Sequence, residues 1–151
     1  MAPSSRNQEN YMSKDWVQDL ADMHGHYGFH PKIEPLGKES LKKLLQFRID
    51  FMQEELDEMK TALASDDWKS AEDTVDSLID LCVVAIGTLD IFKIDSYKAW
   101  DAVREANMSK EVGIKASRPN PLGLPDLIKP PGWKSPTHAG NVGKLNEVFD
   151  K

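Results

Sequence analysis

Apolar positions recur at helical spacing through most of the first 110 residues. From Glu39 to Ala64 there is neither Gly nor Pro. Leu45, Ile49, Met52, Leu56, Met59 and Leu63 follow one another at intervals of 4, 3, 4, 3 and 4. Alternating threes and fours keep one stripe of a helix apolar, the kind of seam a partner helix covers. The pattern predicts a long helix over 39–64. Ser65, Asp66 and Asp67 end it, and Asp66 or Asp67 carries the short acceptor side chain that caps a following helix. That next helix is predicted from Trp68 to Phe92. Trp68, Ala71, Val75, Leu78 and Ile79 make its first half amphipathic, and its second half, LIDLCVVAIGTLDIF, is apolar nearly all round. A helix of that kind is buried on most faces. The Val-rich centre also suits a strand, but its continuity with an amphipathic half favours helix.

Two shorter helices flank this pair. Ser13 is placed to cap one that runs through Trp16, Val17, Leu20 and Met23 and stops near Gly25 and Gly28. A loop is expected from His24 through Pro31, with further breakers at Pro35 and Gly37. The last helix begins near Asp95 or Ser96, shows Tyr97, Trp100 and Val103 on one face, and ends around Lys110, whose charge would complement the helix dipole. Residues 1–12 read as a polar tail, 13–110 as one helical domain, and 111–151 as an extended segment in which six of the nine prolines lie between Pro119 and Pro136. Leu122, Leu124, Leu127, Ile128 and Trp133 are too apolar for a free linker. The segment is therefore expected to pack on the same domain or on a neighbouring subunit.

Charge sharpens the picture. The 151 residues carry a net charge of −6, yet residues 54–80 alone sum to −8, with ten acids against Lys60 and Lys69. Such a chain is a poor binder of nucleic-acid backbones, which need stripes of Lys and Arg. The single cysteine, Cys82, excludes an internal disulfide framework and four-cysteine zinc sites, and reads most simply as a small apolar residue. No apolar run reaches the length that spans a bilayer, and the N-terminus shows no signal-peptide core. The expectation is a soluble protein of a reducing compartment.

On helices, Glu54, Glu55 and Glu58 fall within an arc of about 100°, and Asp73, Asp76 and Asp80 within about 60°. Two antiparallel neighbours would point five or six carboxylates at one place. The ordinary reading of any one of them is a solvated acidic face. Two details argue otherwise. Like charges four residues apart repel by a few tenths of a kcal/mol, and this face hardly alternates in sign. Asp80 also sits inside an apolar run, where a carboxylate is expected to be at least partly buried. Many converging acids with few bases suit a divalent cation, and hard oxygen donors select Mg²⁺ or Mn²⁺. The four histidines, 24, 26, 30 and 138, lie outside both acidic helices, so the Glu-x-x-His motifs of di-iron bundles are missing. His24 and His26 lack the further ligands in sequence that a zinc site needs. No EF-hand loop, phosphate-cradling P-loop or dinucleotide fingerprint is present.

Glu54-Glu55-Leu-Asp-Glu58 followed by Asp76-Ser-Leu-Ile-Asp80 resembles the ExxE…ExxD signature of the MazG-like all-α nucleotide pyrophosphohydrolases. LCVVAIGT, Ala106-Asn107-Met-Ser-Lys110, His24-Gly-His-Tyr-Gly-Phe29 and Ile128-Lys-Pro-Pro-Gly-Trp133 resemble the phage and bacterial branch of that superfamily, so that the likeness covers about residues 13–136. One departure is that Ser77 occupies the usual Glu position three before Asp80, with Asp76 as the substitute and Asp73 as its competitor.

The resemblance implies an all-α, MazG-like four-helix bundle completed by oligomerisation as a homodimer or homotetramer, with an extended Pro-rich C-terminal segment. It implies cleavage of (d)NTPs between the α and β phosphates to give monophosphate and pyrophosphate, with dGTP or GTP favoured over dCTP. Glu55, Glu58, Asp76 and Asp80 would hold two or three Mg²⁺ ions, Mn²⁺ substituting, and Glu54 would bind a further metal or activate water. Asn107 and Lys110, one turn apart, would bind phosphate, with Arg104 a third candidate. Trp16, His24, His26 and Phe29 are candidates for meeting the base, and Lys129 and Trp133 for closing the pocket. A cytoplasmic protein, in the host if phage-encoded, is the matching expectation. The alternatives are a phosphoribosyl-ATP pyrophosphohydrolase and a noncatalytic acidic helical interaction module.

Overall fold

The computed structural model describes Ser13 and residues 15–65 and 67–150. The expected tail over 1–12 and the cap candidate Asp66 lie outside the described residues. Five helices carry the fold: α1 (Trp16–Tyr27), α2 (Phe29–Ile33), α3 (Lys38–Ser65), α4 (Trp68–Ile91) and α5 (Ser96–Met108). They are followed by an antiparallel pair, β1 (Glu111–Gly113) with β2 (Asp126–Ile128), in which Val112 stands opposite Leu127, and by a short 3₁₀ turn over Gly143–Glu147. The fold is all-α, as expected.

The long helices match their sequence patterns, and the caps explain their ends. Asp67 accepts from the Ser70 N–H and starts α4, and Asp95 accepts from the Lys98 N–H and starts α5. The Val-rich stretch is helical throughout. Four details differ from expectation. Asp15, not Ser13, caps α1, accepting from the Gln18 N–H at 3.0 Å. Gly25 does not stop that helix, since a glycine costs only about 1 kcal/mol in a helix interior when tertiary contacts favour helix. The break comes at Gly28, whose φ of +68° suits a residue without a Cβ. The expected loop is consequently helix, Gly28 and then the single turn of α2. At the other end α5 stops at Met108, so Lys110 stands beyond the helix and not in its last turn.

Helices α3 and α4 form a tight antiparallel hairpin. Arg48, early in α3, meets Val84 and Thr88, late in α4, while Glu55, further along α3, meets Ser77 and Asp80. The buried core sits at the open-ended side of the hairpin, away from the connecting turn. Leu41 of α3, Ile33 of α2, Ile91 and Phe92 of α4 and Val148 from the C-terminal segment pack there. Arg48 is also buried in the hairpin. Its Nε donates to Thr88 Oγ1 at 2.9 Å and its Nη2 to the Val84 carbonyl at 3.0 Å, and burial pulls its pKa below the usual guanidinium value.

The C-terminal segment is anchored by polar contacts. Asn141 accepts from the Asp95 N–H and donates to the Asp95 carbonyl, both at 2.9 Å, so that one side chain mimics a strand partner. Trp133 Nε1 donates to the Ala106 carbonyl at 2.8 Å. The apolar seam of α3 is only half covered. Leu45, Met52 and Met59 are partly buried, but Ile49, Leu56 and Leu63 are exposed, as are Trp68, Val75, Leu78 and Ile79 on α4. No described helix is long and apolar enough to cross a membrane.

Candidate active site

An open cleft of about 1040 Å³ runs along the α3–α4 hairpin toward its connecting turn. Helix α3 contributes Glu54 and Glu58, flanked by Asp50 and Asp57, and α4 contributes Asp73, Asp76 and Asp80. Lys69 is the one cation among the lining residues. The acids meet because both helices carry them at three- and four-residue spacing and because α4, which starts at Trp68, runs back along α3.

Glu55 is the centre of this electrostatic arrangement. Its carboxyl pKa is raised above the ordinary glutamate value, first by loss of solvation and then by the neighbouring charges of Glu58, Asp80 and Glu54. The side chain of Ser77 partly offsets this. Glu55 Oε2 is buried with no hydrogen-bond partner. A buried carboxylate oxygen with three acids around it and no donor on it is the arrangement a bound cation would satisfy. Glu55 is half-buried, whereas Asp80, expected to be shielded by its apolar neighbours in sequence, is exposed. Its helix turns it out of the apolar side and into the cleft.

The expected third ligand is not singled out, because Asp73 and Asp76 both line the cleft. Ser77, at the position where the signature has Glu, is buried beside Glu55. The remaining candidates stand elsewhere. Asn107, Lys110 and Arg104 do not line the cleft. Lys110 Nζ lies 5.3 Å from the centre of the Trp133 ring, and Lys129 Nζ lies 4.8 Å from it, so two cations share one aromatic side chain. Arg104 lies in a shallow surface depression with Asp101 and Met108. Trp16 is half-exposed beside an apolar pocket formed with Leu20, Ile79 and Val83. Phe29 packs against His24 at 4.9 Å between ring centroids, and His24 is only 3% exposed.

Two cleft residues carry a signal that the sequence reading passed over. Phe47 and Phe51, four apart on α3, pack with their rings tilted by 50° and 4.3 Å between centroids, and both line the acidic cleft. Aromatic residues at that spacing on the face that bears Glu54 and Glu58 were visible in the sequence, but they fall outside the leucine and methionine seam.

Residues 29–107, which run from α2 almost to the end of α5, match the family model of phosphoribosyl-ATP pyrophosphohydrolase. No curated protein matches the chain.

Proposed function

We propose that this chain, which belongs to the phosphoribosyl-ATP pyrophosphohydrolase family, is a Mg²⁺-dependent pyrophosphohydrolase that splits the α–β phosphoanhydride of a (d)NTP into monophosphate and pyrophosphate. The observation that carries the reading is Glu55, whose unpartnered buried oxygen lies behind the cleft amid Glu54, Glu58 and Asp80, three acids that line it. The donor set is all carboxylate, which fits a hard cation. Glu55, Glu58 and Asp80, with Asp76 or Asp73, would hold Mg²⁺. Bound there, the metal would neutralise the phosphates and lower the pKa of an attacking water. Glu54 lines the cleft and would hold a further metal or accept the proton from that water. Phe47 and Phe51 offer stacking surface to a nucleobase.

Asn107, Lys110 and Arg104 retain their phosphate-binding role in this reading only if a second chain brings them to the cleft. The exposed apolar residues of α3 and α4, spaced by three, four and seven along each helix, support such an oligomer, since they are positions a partner chain would cover. dGTP or GTP is the favoured substrate, with dCTP next. The family match itself favours a second reading, in which the substrate is phosphoribosyl-ATP. Both substrates present the same α–β anhydride. Incubation with Mg²⁺ and each dNTP, GTP or phosphoribosyl-ATP in turn, with separation of products, tests both. Pyrophosphate from a (d)NTP is the expected result. Preferred turnover of phosphoribosyl-ATP would install the second reading, and release of orthophosphate or no turnover would reject both.

A further inference from the structure

Away from the acidic cleft, one cluster ties three helices together. His24 lies in the last turn of α1, His30 in α2 and Asp90 in the last turn of α4. His24 Nδ1 and His30 Nε2 both reach the same oxygen, Asp90 Oδ2, at 2.6 and 2.9 Å. One ligating atom from each residue lies within 4.8 Å of the other two, an arrangement that among the described residues is found at this place. The reversal at Gly28, with its positive φ, makes the convergence possible. It ends α1 four residues after His24 and starts α2 so that His30 folds back toward the same point. Gly87 leaves the space that His24 fills, since a Cβ there would stand 3.2 Å from His24 Cε1.

A hydrogen-bonded triad, with both imidazoles donating to Asp90, is the plain alternative. One feature goes beyond it. A carboxylate offers about four lone-pair sites over two oxygens, yet both imidazoles converge on Oδ2 alone, giving a single locus.

We propose that His24, His30 and Asp90 form a transition-metal site, taking Zn²⁺ or a chemically similar ion, that pins α1 and α2 to the end of α4. Two imidazoles and one carboxylate suit borderline ions of this kind, whereas the all-oxygen cleft suits Mg²⁺. At metal–ligand distances of about 2.0–2.2 Å, tetrahedral ligand atoms stand about 3.3–3.6 Å apart. The observed 2.6 and 2.9 Å would need to open by about 0.4–1.0 Å. His30 is 33% and Asp90 21% exposed, which leaves solvent access for water as a fourth ligand. The site needs nothing from the proposed hydrolysis.

The test uses the full chain, stripped with a chelator and titrated with Zn²⁺ in excess Mg²⁺, alongside His30→Ala, Asp90→Asn and the cleft double variant Glu58→Ala/Asp80→Ala. One Zn²⁺ per chain should bind the wild type and the cleft variant alike, raise their melting temperature, and bind His30→Ala at least about 100-fold more weakly. Co²⁺ should give visible absorption bands that vanish in His30→Ala. His30 is partly exposed, so this variant reports even if Asp90→Asn fails to fold. No Zn²⁺ uptake in excess Mg²⁺, uptake unchanged in His30→Ala, or uptake lost in the cleft variant would each overturn the proposal.

Discussion

The Lys144 N–H donates to the Phe92 carbonyl at 2.7 Å, and this contact brings the neighbouring Gly143 against the end of α4. Gly143 has φ +50°, and a Cβ on it would collide with the Phe92 and Lys93 carbonyl oxygens. Those atoms are backbone and cannot move aside as a flexible side chain can. Gly143→Ala should therefore cost about 2–4 kcal/mol, combining left-handed strain with the clash, and lower the melting temperature by several degrees. Gly140 shares a positive φ but has open space around it. Gly140→Ala should cost only about 1 kcal/mol. Calorimetry on the two variants checks the difference, and equal effects would mean that the docking of the C-terminal segment does not depend on this close approach.

Stability should depend on pH through Glu55. Its pKa is raised in the folded protein, so the native state holds this proton more tightly than the unfolded chain does. The resulting contribution is fully present below the unfolded value near 4.5 and is lost as pH rises through the folded value. Without divalent ions, Glu55→Gln should be more stable than the wild type at neutral pH, and its advantage should shrink on acidification toward pH 4.5. Melting curves across pH 4 to 8 measure this. Added Mg²⁺ should raise the wild-type melting temperature and leave Glu55→Gln less affected.

Removing Glu58 or Asp80 separates catalysis from folding. Glu58→Ala and Asp80→Ala should each reduce hydrolysis by at least about 100-fold, while the melting temperature holds or rises because mutual repulsion is relieved. Rates measured with circular dichroism on the same samples decide the matter. Activity retained in both variants would mean that hydrolysis does not depend on these carboxylates, and no activity in the wild type would favour the noncatalytic acidic surface.

A mixing experiment tests the oligomer. Asn107 and Lys110 lie outside the cleft of their own chain, so a second chain is required if they bind phosphate there. Glu58→Ala and Lys110→Ala chains should each be inactive and should regain up to about a quarter of wild-type activity when mixed and exchanged as dimers. No recovery, or a monomer in sedimentation at micromolar concentration, would reject the shared site.

Arg48 predicts an ordering of variants. Its fork reaches Thr88 and the Val84 carbonyl, while Thr88 Oγ1 itself donates to Val84 at 2.6 Å. Arg48→Met removes a desolvated cation and leaves Thr88 satisfied, so its cost should be under about 1.5 kcal/mol. Arg48→Ala opens a cavity and should cost about 2–4 kcal/mol. Denaturant titrations give both numbers.

Local chemistry made the long helices and the acidic spacing legible in the sequence. Leucine and methionine at intervals of three and four, Asp67 and Asp95 as caps, and clustered Glu and Asp act within one or two turns, so their consequences can be read without knowing what packs where. The same locality misled at Asp80. Its neighbours in sequence are apolar, but helical rotation, which carries residues two apart to different faces, directs it into the cleft. Of the two glycines expected near the end of α1, Gly28 makes the break, whereas at Gly25 tertiary contacts outweigh about 1 kcal/mol of helix propensity.

Only the tertiary structure could bring Asp90 to His24 across 66 positions, or set Glu55 apart from its acidic neighbours as the carboxylate with a buried, unpartnered oxygen. The sequence by itself determined which segments are helical and that their acids share a face, because those properties repeat with the period of the helix. Which acid is desolvated, which histidines meet, and which apolar positions remain uncovered depend on contacts between distant segments. No periodicity records those contacts, since they arise when one helix is laid against another.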